Sequence, residues 1–198
     1  MKAFSICAIA LMTAAVTFAD KKSESKFSAG PASSYSTRQT NDKVTVAAVA
    51  YDSEELAHTA FGKLNPYQHG ILPVLVIIQN DTDQALKLDH LTVEYTGVDN
   101  HHVDAMPVYD VQTLGGVPPP KMPNGSPIPH RKYKNPLNAF EIEGRAFAAK
   151  ILPAHESANG FFYFQTTHRP GAKFYLTGIK EAATGKDIFF FEVPLDKK

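Results

Sequence analysis

Residues Gly70 to Gly97 read GILPVLVIIQNDTDQALKLDHLTVEYTG. Val74 to Ile78 is an unbroken apolar run dominated by β-branched residues, the composition of a strand covered on both faces. Beyond the polar stretch Asn80-Asp81-Thr82-Asp83, Leu91, Val93 and Tyr95 alternate with Thr92, Glu94 and Thr96, the period-two pattern of a strand with one wet face. The simplest arrangement turns the two strands back on each other across Asn80–Asp83. Leu86 and Leu88 are out of phase with Leu91 and Val93, which predicts a bulge at Asp89-His90. The core of the chain is therefore expected in antiparallel β-structure.

Working outward, Val44 to Tyr51 reads as another strand, its apolar phase slipping at Ala47-Ala48 as at a bulge or a change of sheet. Asp52 with Glu55 has the spacing of a capping box, Leu56, Ala57, Ala60 and Phe61 share a helical face, and Gly62 supplies a stop. A helix of about ten residues needs packing to persist, so it should cover the sheet. Asn135-Pro136 reads as a second helix start, with Leu137, Phe140, Gly144, Phe147 and Ile151 on one face, Glu141 and Arg145 paired at i, i+4, and Pro153 as terminator. The last third is aromatic and extended: strands are predicted over 160–167, 173–180 and 187–193, the last two forming a hairpin across Ala183-Thr184-Gly185-Lys186.

Two stretches stand apart. Residues 20–42 are polar, with Phe27 and Tyr35 as their only large apolar groups, and predict a flexible linker. Residues 98–135 hold the run Pro118-Pro119-Pro120 and no periodic apolar pattern, and predict an irregular insertion that serves as a binding surface or as a stiff cover over the sheet.

At the N-terminus, Lys2 precedes a largely apolar segment ending in Thr17-Phe18-Ala19, small residues at the two positions a signal peptidase reads. Residues 1–19 are expected to be a cleaved signal peptide. The alternative, a retained anchor, needs about 20 apolar residues, more than this run contains. Cys7 is the only cysteine of the 198 residues and lies inside that segment. An exported chain without thiols holds neither disulfides nor thiolate zinc sites, so apolar burial has to hold it together, and 13 Phe and 8 Tyr supply the material. Lys plus Arg and Asp plus Glu number 20 each, a balance that offers nucleic acid no basic surface.

Taken together, GILPVLVIIQNDTD and LPAHESANGFFYFQT resemble the paired strands of immunoglobulin-like β-sandwich modules in exported bacterial proteins, over roughly residues 43–97 and 148–194. The resemblance implies a mainly β, immunoglobulin-like antiparallel sandwich over residues 43–198, carrying two short helices and the long Pro-rich loop. It implies no catalytic or ligand residues.

Chemistry-bearing residues are sparse. His101, His102 and Asp104 are the densest set of potential metal ligands, although neighbouring histidines project apart in extended chain and need help from His69 or His130. Arg131, Lys132, Tyr133 and Lys134 form a short basic, aromatic run suited to anionic groups. No G-x-S-x-G elbow occurs, the Gly185-Lys186 pair lacks the phosphate-loop spacing, and His155-Glu156-Ser157 are sequence neighbours that cannot converge as a triad. The expected function is therefore a non-catalytic, cofactor-free binding or structural module of the cell envelope, periplasmic or extracellular. Its partner would be an envelope protein or a glycan, with no membrane span left after signal cleavage. The alternatives are a metal-dependent hydrolase built on His101, His102 and Asp104, and a self-assembling envelope subunit.

Overall fold

The structure, a computed structural model, describes residues 27–114 and 135–196. The signal segment 1–19 and Arg131 to Lys134 lie outside the described residues. The fold is mainly β, with eleven strands in three antiparallel sheets and three short helices among the described residues.

The first sheet has the order β1 (Arg38–Asn41), β2 (Val44–Ala50), β3 (Leu72–Asn80), β8 (Ser157–Phe164). The second runs β11 (Phe191–Pro194), β9 (Lys173–Thr177), β5 (Thr92–Thr96), β6 (His102–Asp104). A small third sheet, β10 (Lys180–Glu181), β4 (Leu86–Lys87), β7 (Ile151–Leu152), adds Leu86, Leu152 and the neighbouring Ile179 to the same interior.

Strand β3 explains its own sequence. Val74, Val76 and Ile78 point at the second sheet, meeting Val93, Tyr95, Phe174, Leu176 and Phe191 in one core. Leu75 and Ile77 point the other way, into a second core covered by helices. That outer layer is α1 (Glu54–Phe61), α2 (Val108–Leu114) and α3 (Phe140–Gly144), contributing Ala60, Phe61, Val111 and Ile142. With both faces buried, no alternation can survive in the strand. The same holds for β2, whose pairing with β3 runs unbroken from Val44↔Asn80 to Ala50↔Val74, so the phase slip at Ala47-Ala48 reflects burial on two faces and no bulge.

The pairing read across Asn80–Asp83 is corrected. Strands β3 and β5 lie in different sheets and pack face to face; β3 pairs with β2 and β8, and β5 with β6 and β9. The phase change at Asp89-His90 is the chain leaving β4 in one sheet for β5 in another. Gly178 makes this crossing possible: its φ is +90°, and a Cβ there would stand 2.1 Å from the His90 carbonyl oxygen.

Four other expectations change. The stretch 27–42 is structured: Phe27 packs on Tyr51 and Phe161, Ala32 is buried in a 3-10 turn at Ala32–Ser34, and β1 is an edge strand along β2. Residues 20–26 lie outside the described residues. Helix α1 is capped by Ser53, whose Oγ accepts from the Leu56 N–H at 3.3 Å, and not by Asp52. The second predicted helix shrinks to the five residues of α3, leaving Phe140 82% exposed, because residues 145–147 straighten to lie beside β8. The insertion 98–135 is not irregular throughout, since it contains β6 and α2.

One flank of the sandwich is closed. The Glu192 N–H donates to Gln39 Oε1 at 2.6 Å and Asn41 Nδ2 donates to the Phe190 carbonyl at 2.8 Å, tying β1 to the β11 end of the chain. The last two long strands, β9 and β11, pair antiparallel as expected, with β10 and its turn between them.

Candidate binding cleft

The opposite flank is open. Here the outer edge of β8 receives two short segments instead of a full strand. Residues 145–147 run parallel to it, with the Phe161 N–H donating to the Arg145 carbonyl at 2.8 Å and the Phe147 N–H to the Phe161 carbonyl at 3.0 Å. From the other side the Met106 N–H donates to the Tyr163 carbonyl at 2.8 Å. Gly160 permits the first approach, because a Cβ at that position would stand 2.5 Å from Phe147 Cα.

Between these segments and β5–β6 is a cleft of about 590 Å³. Val93, Met106, Val108, Phe147 and Phe162 supply apolar wall, and Phe147 stacks on Phe162 with ring centroids 5.2 Å apart. Asp104 is its carboxylate and Thr92 its hydroxyl. The Tyr163 hydroxyl is committed elsewhere, donating to the Ile142 carbonyl at 2.8 Å, and burial pushes its pKa well above the ordinary tyrosine value. Residues 104–108, within the insertion, thus frame an open cleft with the aromatic strand.

The predicted metal ligands do not converge. His102 and Asp104 share the outward face of β6, and His102 Nδ1 lies 2.9 Å from Glu94 Oε2 on β5. His101 sits in the preceding turn, where its N–H donates to Asp99 Oδ1. His69 is exposed at the end of a separate 3-10 turn. Among the described residues no group of three or more His, Cys, Asp or Glu is arranged to hold a metal ion. Ser157 opens β8 while His155 turns to Asp83 at 3.2 Å, so that trio does not assemble either.

Three polar residues matter through partners that the sequence did not announce. Asn80 is fully buried; its Nδ2 donates to the carbonyls of Gln84 (2.8 Å) and Pro153 (2.9 Å), and its Oδ1 accepts from the N–H and hydroxyl of Thr82. His168, with its side chain 7% exposed, lies 3.1 Å from Asp196 and fastens the C-terminal end to the 166–171 loop. Arg145 forms no ion pair with Glu141 among the described residues and lies instead over the Phe27 ring, 5.1 Å from its centroid. Twenty-eight residues separate His168 from Asp196, too far for any local spacing rule to link them.

Comparison with known proteins adds little to this geometry. No family model matches the chain, and no curated protein matches it. Among solved structures it is similar to a "putative lipoprotein (ycdA)" from Bacillus subtilis subsp. subtilis str. 168, at 13% identity and a TM-score of 0.38. The match covers 82% of this chain and 39% of that one, so this chain spans well under half of that protein's length. A likeness of that size carries no argument about function. Among the described residues no helix is long and apolar enough to cross a membrane.

Proposed function

We propose that the chain is an exported, non-catalytic binding module of the cell envelope. An immunoglobulin-like sandwich is its scaffold and the cleft beside β8 its contact site. The lining of that cleft carries the reading. Its wall is aliphatic and aromatic, with one carboxylate, Asp104, and one free hydroxyl, Thr92, to orient what binds. Reaction chemistry needs a nucleophile and a base, or an acid–base pair, within hydrogen-bond reach of each other. Among the described residues no histidine, cysteine or lysine lines the cleft. Two four-stranded antiparallel sheets packed face to face support the immunoglobulin-like description.

The test alters exposed lining residues of the cleft that belong to neither core. Thr92 and Asp104 line it and are exposed, so Thr92→Trp and Asp104→Arg should keep the thermal midpoint. The immobilised protein is challenged with envelope proteins and with envelope glycans in separate arms. Retention of one component by the wild type, lost in both variants, is the expected result. Equal retention by the variants, or chemical turnover of the retained component, would overturn the proposal.

A further inference from the structure

Arg145 occupies an unusual position. Its backbone is locked beside β8, and its guanidinium stacks on Phe27, which itself packs against Phe161 at 5.6 Å. Its Nε is buried and has no hydrogen-bond partner among the described residues. Arginine cannot shed its charge to relieve that desolvation. Acidic residues are near in sequence, Glu141 and Glu143, yet neither lies within ion-pair distance. The positive charge reaches inward: burial raises the pKa of Tyr51 and of Tyr163, and Arg145 pulls against both shifts.

Beside the guanidinium is a pocket of about 300 Å³. Its walls are Phe27, Phe140, Gly144, Asn159 and Gly160, with Glu141 at the rim. The ring of Phe140 is largely exposed and lies against Gly144 of the same helix. Pocket and cleft share Ala146 and no other lining residue.

We propose that this pocket is a second binding site, independent of the cleft, for an organic carboxylate with a flat apolar body. The planar fork of Arg145 matches a carboxylate in geometry and charge, and its terminal nitrogens are the donors that such a group would meet at the pocket wall, the buried Nε being out of a ligand's reach. Phe27 and Phe140 flank the apolar body, and the Asn159 side chain offers a further donor. Glu141 opposes the anion and limits the affinity.

The probe is benzoate, titrated into the full chain by NMR or calorimetry, with benzamide as its neutral isostere and acetate as its ringless counterpart. Benzoate should saturate, and benzamide and acetate should bind about tenfold or more weakly, the loss of a charge-assisted contact or of the apolar wall. Arg145→Lys should weaken benzoate by a similar factor, because a point charge lacks the fork. Glu141→Gln should tighten it several-fold by removing the repelling charge, an effect that a purely structural role for Arg145 would not produce. Phe140→Ser should weaken benzoate and leave acetate unchanged. Glu141 and Phe140 are exposed, so these two variants decide the matter if Arg145→Lys destabilises the fold. Absence of saturable benzoate binding overturns the site, as does benzoate binding indifferent to Glu141→Gln and Phe140→Ser.

Discussion

At the residue scale, Asn80 joins the two stretches of sequence that the sandwich reading rests on. Its amide ties the Asn80–Gln84 turn to the carbonyl of Pro153, and its backbone N–H donates to the Glu156 carbonyl at 2.9 Å. The Asn80 side chain is fully buried, whereas Thr82 is half-buried and Gln84 and Pro153 are exposed, so water can replace some of the lost partners but cannot fill the buried amide's place at the turn. Asn80→Ala should therefore cost about 2 kcal/mol, measured by urea denaturation, since it removes the partner of the Pro153 carbonyl and of the Thr82 N–H, while the Gln84 carbonyl keeps the Thr82 hydroxyl. Asn80→Asp should cost at least as much: it keeps the acceptor but replaces the donor with a buried charge. A loss below about 0.5 kcal/mol for either variant would show that the Asn80 amide does not hold the turn. Fully buried aliphatic and aromatic side chains around it contribute about 1.5 to 3 kcal/mol each, so the turn matters as much as one core residue.

Among the elements, β8 has the most constrained environment. One edge pairs with β3 over eight residues, while the other accepts the 145–147 segment and Met106. Its inward faces feed both cores, Phe162 and Phe164 into one and Phe161 and Tyr163 into the other. The short segment stays only because Gly160 has no side chain. In Gly160→Ala the new methyl would meet backbone atoms of Ala146 and Phe147 at 2.5 to 3.0 Å, and backbone yields less readily than a side-chain tip. Overpacking of this kind costs about 2 kcal/mol, which for a chain of this size lowers the thermal midpoint by about 4 to 8 °C. Calorimetry checks it. The variant should also displace Phe147 and so change the cleft, whereas an unchanged midpoint would mean that the segment is not held in place.

For the whole molecule, burial of tyrosine in both cores makes stability depend on alkaline pH. Burial, with Tyr35 nearby, raises the Tyr51 pKa from 10.0 to about 12; burial also raises Tyr163, and Tyr95 despite the N–H that Arg169 donates to its hydroxyl. Between the two values the folded state holds a proton that the unfolded chain has released, so ΔG of unfolding falls as pH rises. The stabilisation is complete below pH 10 and is lost as pH climbs through the folded-state values. Each such tyrosine contributes a slope of about 1.4 kcal/mol per pH unit in that window. Denaturation midpoints measured from pH 9 to 11.5 should fall steeply above 10, and Tyr51→Phe should flatten the curve. A curve of the same steepness in the variant would show that Tyr51 ionises freely in the folded state.

How much of this was legible in advance follows from the range of the forces involved. Composition and local pattern were enough for a mainly β chain whose interior is aliphatic and aromatic, because strand periodicity and the burial of Val, Ile and Phe act within a few residues. They misplaced the pairing of β3 with β5 and lengthened the helix after Pro136. An unbroken apolar run records that both faces are covered but not by what, and helical spacing at Leu137, Phe140 and Phe147 could not reveal that Gly160 leaves room for Phe147 to lie along β8. The contacts that shape the candidate sites were invisible for the same reason: Arg145 over Phe27, His168 on Asp196 and Asn80 against Pro153 join positions 28 to 118 residues apart. Only the folded chain brings such groups within a hydrogen bond's reach. Which strands pair, which flank stays open and which cation lies beside a pocket were therefore decided by tertiary packing.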